Sequence, residues 1–198
     1  MAGVSNVPSM PLIQQFLSAR AGENGLSLNH KIAMVVAGSI LLALSAHIKV
    51  PFYPVPVTMQ TMVILLIGMT YGARLGALTI FAYLAEGAVG LPVFAGGAGL
   101  AYMAGPTGGY LFGFLVSAFV VGMLAEKGWG KSWATAGLAM IIGNIVIYAF
   151  GVTWLSSVIG SFDKALQFGL LPFIYGDVLK IVIATAALPF AWKLLPKS

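Results

Sequence analysis

From Gly87 to Ala125 the chain runs for 39 residues without one charged side chain, and from Ser132 to Phe162 it does so again for 31. Water-facing structure needs polar groups far more often than that. Only 8% of the residues are charged and 60% are apolar, whereas a soluble domain carries about a quarter charged residues. The sequence therefore predicts one integral membrane domain.

A helix crossing the hydrocarbon core needs about 20 mostly apolar residues. On that measure the chain divides into six spans: Lys31 to Ile48, Thr58 to Tyr71, Arg74 to Val89, Gly108 to Ala125, Ser132 to Val152 and Leu171 to Leu195. The fold class expected is all-α, a polytopic six-transmembrane-helix bundle over residues 29–198. Residues 1–28 are more polar and read as a surface segment, with an amphipathic turn or two from Leu12 to Ala19. They lack the basic start, short apolar run and cleavage site of a removable signal peptide.

Gly and Pro place the breaks. Pro51, Pro54 and Pro56 cannot sit in a helix interior, so residues 49–57 form a stiff extended loop. The run from Gly90 to Thr107 is a Gly-rich loop, open to a re-entrant reading, and residues 153–169 form a connector whose short helix starts at Asp163 as N-cap. With a cytoplasmic amino terminus, Arg20, Lys31, Arg74, Lys127, Lys131, Lys193 and Lys197 lie inside and only Lys49 and Lys164 lie in outer loops. The positive-inside bias thus puts both termini in the cytoplasm and the three irregular connections outside the cell membrane.

Several function classes drop out. There is no cysteine, and His30 and His47 are the only histidines, far apart in sequence, so metal centres and thiol chemistry are not expected. The net charge of +5 gathers at helix ends, which argues for lipid headgroups and against nucleic acid. No Gly-Lys-Ser/Thr ending directly follows the Gly-rich run, as a phosphate-cradling loop would need. An intramembrane enzyme would need a nucleophile with a base, and the isolated acids supply neither.

What remains is a binding or transport site. Asp177 and Lys180, three apart on the last span, share a face; they read either as a self-satisfied ion pair or as a ligand grip with donors and lone pairs to spare. Tyr102 and Tyr110, with the glycines around them, suit the enclosure of a small heterocycle. Asn144 and Tyr148, four apart, offer an amide and a hydroxyl toward the bundle interior, for a ligand or for interhelical bonds. Ala33 and Ala37, and Ala73 and Ala77 beside Gly72 and Gly76, are small-residue faces for packing within the bundle or docking to another membrane subunit. Arg74 reads as an inner-interface anchor. Glu86, near the outer mouth, reads as an interfacial charge or a partner of Lys49 or Lys180.

Five short motifs in order, Pro56-Val-Thr-Met-Gln-Thr61, Gly72-Ala-Arg-Leu-Gly-Ala77, Gly90-Leu-Pro-Val-Phe94, Gly105-Pro-Thr-Gly-Gly-Tyr-Leu111 and Pro172-Phe-Ile-Tyr-Gly-Asp-Val-Leu-Lys180, give the chain a resemblance to the BioY family. These are the biotin-binding S components of energy-coupling-factor (ECF) transporters. The resemblance implies capture of biotin from outside, with Asp177 and Lys180 as binding residues. It also implies a transmembrane coupling subunit and cytoplasmic ATPases as partners, Ala33, Ala37, Ala73 and Ala77 as docking positions, and biotin as cargo with no cofactor. Some relatives also use an Asn and an Arg in the third loop or at the start of the fourth span; here that region has neither, so Tyr102, Tyr110 or backbone groups take their place. Uptake without dedicated partners stays open, and so does a proton-coupled carrier for another small solute with Asp177 or Glu86 as its proton site.

Overall fold

The computed structural model describes residues 11–13, 15–16 and 26–193. Most of the expected surface segment, including residues 14 and 17–19 of the expected amphipathic turn, and residues 194–198 lie outside the described residues. Leu12 is buried, and Pro11 packs on Gly72.

Six principal helices form the bundle: α1 (Leu28–His47), α2 (Gln60–Tyr71), α3 (Ala73–Ala88), α5 (Gly108–Glu126), α6 (Trp133–Ile159) and α8 (Leu171–Lys193). Two short ones, α4 (Gly99–Met103) and α7 (Phe162–Gly169), lie in the connections, and a two-residue antiparallel ladder joins β1 (Lys49–Val50) to β2 (Val57–Thr58). Four helical stretches are long and apolar enough to cross a bilayer: α1, α5, α6 and the nearly continuous α7–α8 segment. This is a multi-pass membrane protein.

Hydroxyl caps set several boundaries. The Ser27, Ser132 and Ser161 side chains each accept a backbone N–H three residues on, opening α1, α6 and α7. The connector thus differs from expectation on two counts. Its helix is capped by Ser161 rather than Asp163, which falls in the first turn, and α6 continues through Ile159 because nothing breaks it before Gly160, whose φ of 72° stops it in the left-handed region.

The second span also departs from expectation. At 12 residues, α2 is about 18 Å long, against a hydrocarbon core of about 30 Å. The missing length is taken up by β1, β2 and the loop between them, where Pro51, Pro54 and Pro56 exclude helix. At its other end Gly72, with φ 84°, is the only residue between α2 and α3. The hairpin closes tightly, so that a Cβ at Gly76 would stand 3.3 Å from the Gly68 Cα.

Helix α5 is the central element, packed most extensively on α6 and also on α2 and α3. Small residues make this possible, as lipid offers no hydrophobic drive between helices and close backbone approach has to supply the attraction. Ser117 Oγ donates to the Gly143 carbonyl at 2.9 Å, and Gly122 lies directly against Ala73. Glu126 closes the same junction by accepting from the Ala73 N–H at 2.9 Å.

The small-residue pairs therefore divide. Ala33 and Ala37 are exposed on the outer face of α1, within a shallow apolar groove with Ile32, Val36 and Ile40, whereas Ala73 is buried inside the bundle and Ala77 is half-buried. Docking through Ala73 is corrected to internal packing, because Gly122 already occupies its face.

A Cβ at Gly122 would lie 2.4 Å from Ala73 backbone atoms, while one at Gly137 would meet only the Thr185 side chain at 3.5 Å. Gly122→Val should cost about 1–3 kcal/mol through overpacking, and Gly137→Ala should be neutral or stabilising by up to about 1 kcal/mol. Thermal unfolding in detergent checks the ordering; equal midpoints would contradict the packing described.

Candidate functional site

The stiff loop, the Gly-rich loop and the α6–α8 connection meet at one end of the bundle. Beneath them lies a narrow cavity of about 40 Å3, lined by residues from β2, the start of α2, the Gly-rich loop, α5, α6 and α8. That is well short of the ~300–1,000 Å3 usual for small-molecule sites, so the walls have to part to admit a ligand. Its walls are mostly apolar and aromatic, with Thr58, Gln60, Thr61, Tyr102, Tyr110 and Tyr148 as the principal polar contributors.

The Gly-rich loop is built inward. Phe94, 2% exposed, fits against Gly87 and stacks on Tyr102 with centroids 5.2 Å apart and rings 17° from parallel. Any side chain at Gly87 would collide with the Phe94 ring. Lys49 Nζ donates to the Ala95 carbonyl, tying this loop to β1. The loop thus supplies Ala95 and Tyr102 to the cavity wall.

Tyr110 also lines the cavity. Its hydroxyl donates to the Gly169 carbonyl at 2.8 Å, and its ring stacks on Phe173 and meets Tyr148 edge-on. Its contribution to the cavity is therefore a ring face, since the hydroxyl is already occupied. Tyr102 keeps its hydroxyl without a hydrogen-bond partner among the described residues.

Asp177 and Lys180 are 4% and 7% exposed and form an ion pair at 2.9 Å. Lys180 Nζ also donates to Thr61 Oγ1 at 3.0 Å and to the Thr58 carbonyl at 2.7 Å. An ammonium has three donors, and all three are taken. Asp177 Oδ1 receives Lys180 and, at 3.2 Å, the Thr61 hydroxyl; Oδ2 receives the Tyr148 hydroxyl. With about four lone-pair positions on a carboxylate, one position on Oδ2 is left over among the described residues. Spare capacity exists on the acid but not on the base, which corrects the expectation that both partners keep groups for a ligand. Neither charge lines the cavity directly; Thr61 and Tyr148, which do, stand in front of them.

Asn144 is not at the cavity. Its amide donates to the Met140 carbonyl one turn back on its own helix, at 3.2 Å, and its Oδ1 is buried without a partner among the described residues. Tyr148, one turn away, is the member of that pair at the wall. Glu86 accepts from Ser39 across the α1–α3 interface and bonds to neither Lys49 nor Lys180. Thr58, Gln60 and Thr61 were legible as a motif but not as site residues. The signal available was polar groups opening an otherwise apolar span, the same signal that marked Asp177.

Removing the Lys180 ammonium alone leaves a buried carboxylate uncompensated, which typically costs about 3–5 kcal/mol, whereas removing both charges costs much less. Lys180→Met should lower the unfolding midpoint in detergent well below that of the double variant Asp177→Asn/Lys180→Met. Equal destabilisation by the two would contradict the burial described.

Comparison with known proteins bears on the family and the fold. The BioY family model matches residues 18–197. The biotin transporter BioY of Thermotoga maritima is 42% identical over 147 residues, covering 73% of this chain and 85% of that protein. That of Rhizobium etli is 40% identical over 176 residues, covering 83% and 94%. A crystal structure of the S-component for biotin from an ECF-type ABC transporter superposes with a TM-score of 0.72 at 27% identity, covering 85% of this chain and 95% of that one. With the family model spanning nearly the whole chain and its fold shared with a solved S-component, this chain belongs to the BioY family.

Proposed function

We propose that the chain is a biotin-uptake subunit that captures the vitamin from outside the cell in the cavity at the loop end of the bundle. It is a transporter component and not an enzyme. The observation that carries the reading is the wall formed by Thr61 and Tyr148, two hydroxyls at the cavity that are both bonded to one buried carboxylate.

Biotin carries a ureido group with two N–H donors and one carbonyl, a thioether ring and a valerate tail ending in a carboxylate. Tyr102, Tyr110 and Phe173 supply ring faces for the bicycle. Asp177 Oδ2 holds one unfilled acceptor position, and Tyr148 stands in front of it. Tyr148 turns aside as a ureido N–H arrives, exchanging a hydroxyl donor for an amide-like one in a water-poor site. Lys180 pairs with Asp177 and holds Thr61 in place. It meets the ligand only by giving up one of its present bonds, so its role is first to fix the acid.

The distribution of positive residues favours cytoplasmic termini and a cavity open to the cell exterior. Ala33 and Ala37, exposed on α1, form the face on which a transmembrane coupling subunit docks, with energy supplied by cytoplasmic ATPases. Small residues there allow the close helix approach that such docking needs in lipid.

Binding of biotin to the protein purified in mild detergent tests the substrate. Micromolar or tighter binding is expected, and none at that level would reject it. Asp177→Asn should weaken binding by at least about 1.4 kcal/mol, or tenfold, as a charge-assisted bond is lost. Ala37→Trp should leave detergent binding within about twofold of wild type, a change of well under 1 kcal/mol. The same substitution should abolish cellular uptake and co-purification with the coupling subunit; uptake at the wild-type rate would move docking to another face.

A further inference from the structure

We infer that Gln60 reads one ureido N–H of the ligand through its side-chain carbonyl, and that Tyr83 behind it is the positioning residue that fixes the orientation of that amide. The inference rests on the biotin reading and assigns a second acceptor to the same cavity.

Gln60 opens α2, is 4% exposed and lines the cavity. Its Nε2 donates to the Tyr83 hydroxyl at 2.7 Å, and that hydroxyl donates to the Val93 carbonyl at 2.9 Å. The order of donors is forced. A backbone carbonyl can only accept, and a phenol has one proton, so Tyr83 spends it on Val93 and can only receive from Gln60. Turning the amide over would set its oxygen against the Tyr83 oxygen with no proton between them. Tyr83 is itself fully buried and packed edge-on against Phe94 at 5.5 Å, so it cannot turn away to relieve the clash.

The amide oxygen is therefore held away from Tyr83. Its partner among the described residues is the Thr58 hydroxyl, at a long 3.3 Å, which leaves a lone pair of Oε1 for a donor in the cavity. A ureido group brings two N–H donors that diverge on either side of its carbonyl, so Asp177 Oδ2 can meet only one of them. The second N–H needs a second acceptor, and Gln60 Oε1 is a neutral one of fixed direction. A buried acceptor left without its donor penalises any ligand lacking it, which is how such a group enforces specificity.

The same phenol also bonds to Val93, next to Phe94 and Ala95 of the Gly-rich loop. The seating of that loop and the facing of the amide thus depend on one hydroxyl.

The experiment measures binding of biotin and of its two mono-N-methyl ureido analogues to wild type, Gln60→Leu and Tyr83→Phe in detergent. Wild type should bind each analogue at least about tenfold more weakly than biotin, the equivalent of ~1.4 kcal/mol. Gln60→Leu should bind biotin about tenfold more weakly and should discriminate against one of the two analogues by no more than about threefold, since the acceptor that analogue fails to satisfy is gone. Tyr83→Phe should lose the same discrimination while keeping the Gln60 side chain. Either variant alone decides the matter if the other fails to fold. Biotin bound by wild type, with both analogue ratios unchanged in a folded variant, would overturn this inference alone. No binding of biotin by wild type would overturn the biotin reading and this inference with it.

Discussion

An ammonium group inside an apolar bundle loses several kcal/mol of hydration, and the loss has to be recovered in hydrogen bonds and charge. Lys180 recovers it with three oxygens: a carboxylate from its own helix, a carbonyl from β2 and a hydroxyl from the start of α2. Asp177 extends the network to α6 through Tyr148. Three helices are thus tied together at one level by a single buried pair, and that level is the wall of the cavity. The pair serves as a frame, and the hydroxyls in front of it line the cavity.

The network requires irregular backbone at membrane depth. The Thr58 carbonyl is available to Lys180 because α2 begins two residues later, after an extended hairpin. A longer α2 would satisfy such carbonyls internally and would fill the cavity with its own first turn. Non-helical chain at this depth is tolerated because protein surrounds it, and the inward-packed Phe94 and the Lys49 bond to Ala95 provide that cover. The shortness of one helix and the presence of a polar site are the same structural fact seen from two sides.

Much of this architecture was legible in the sequence. Uncharged stretches, with glycine and proline as punctuation, placed the six principal helices, because burial in lipid restricts composition more severely than burial in a soluble core. The less legible features depended on tertiary partners. Spacing put Asp177 and Lys180 on one face but could not show that Thr58 and Thr61 fill the remaining Lys180 donors. Tyr110 read as a ring with a hydroxyl to offer, until the Gly169 carbonyl came within 2.8 Å from 59 residues away. Asn144 and Tyr148 share a helix face, yet one turn of helix separates a residue at the cavity wall from one bonded to its own backbone. Ala73 and Ala77 look alike on paper, and only Gly122 on a neighbouring helix shows that Ala73 is spent inside the bundle.

If a buried ion pair frames a biotin site whose inner wall is Thr61 and Tyr148, a biotin-bound structure of this protein will show it. The ureido ring should lie in the cavity between Tyr102 and Tyr110, with one N–H on Asp177 Oδ2 and the Tyr148 hydroxyl parted from that oxygen. Biotin seated elsewhere, with the Tyr148 to Asp177 bond intact and the cavity unchanged, would contradict it.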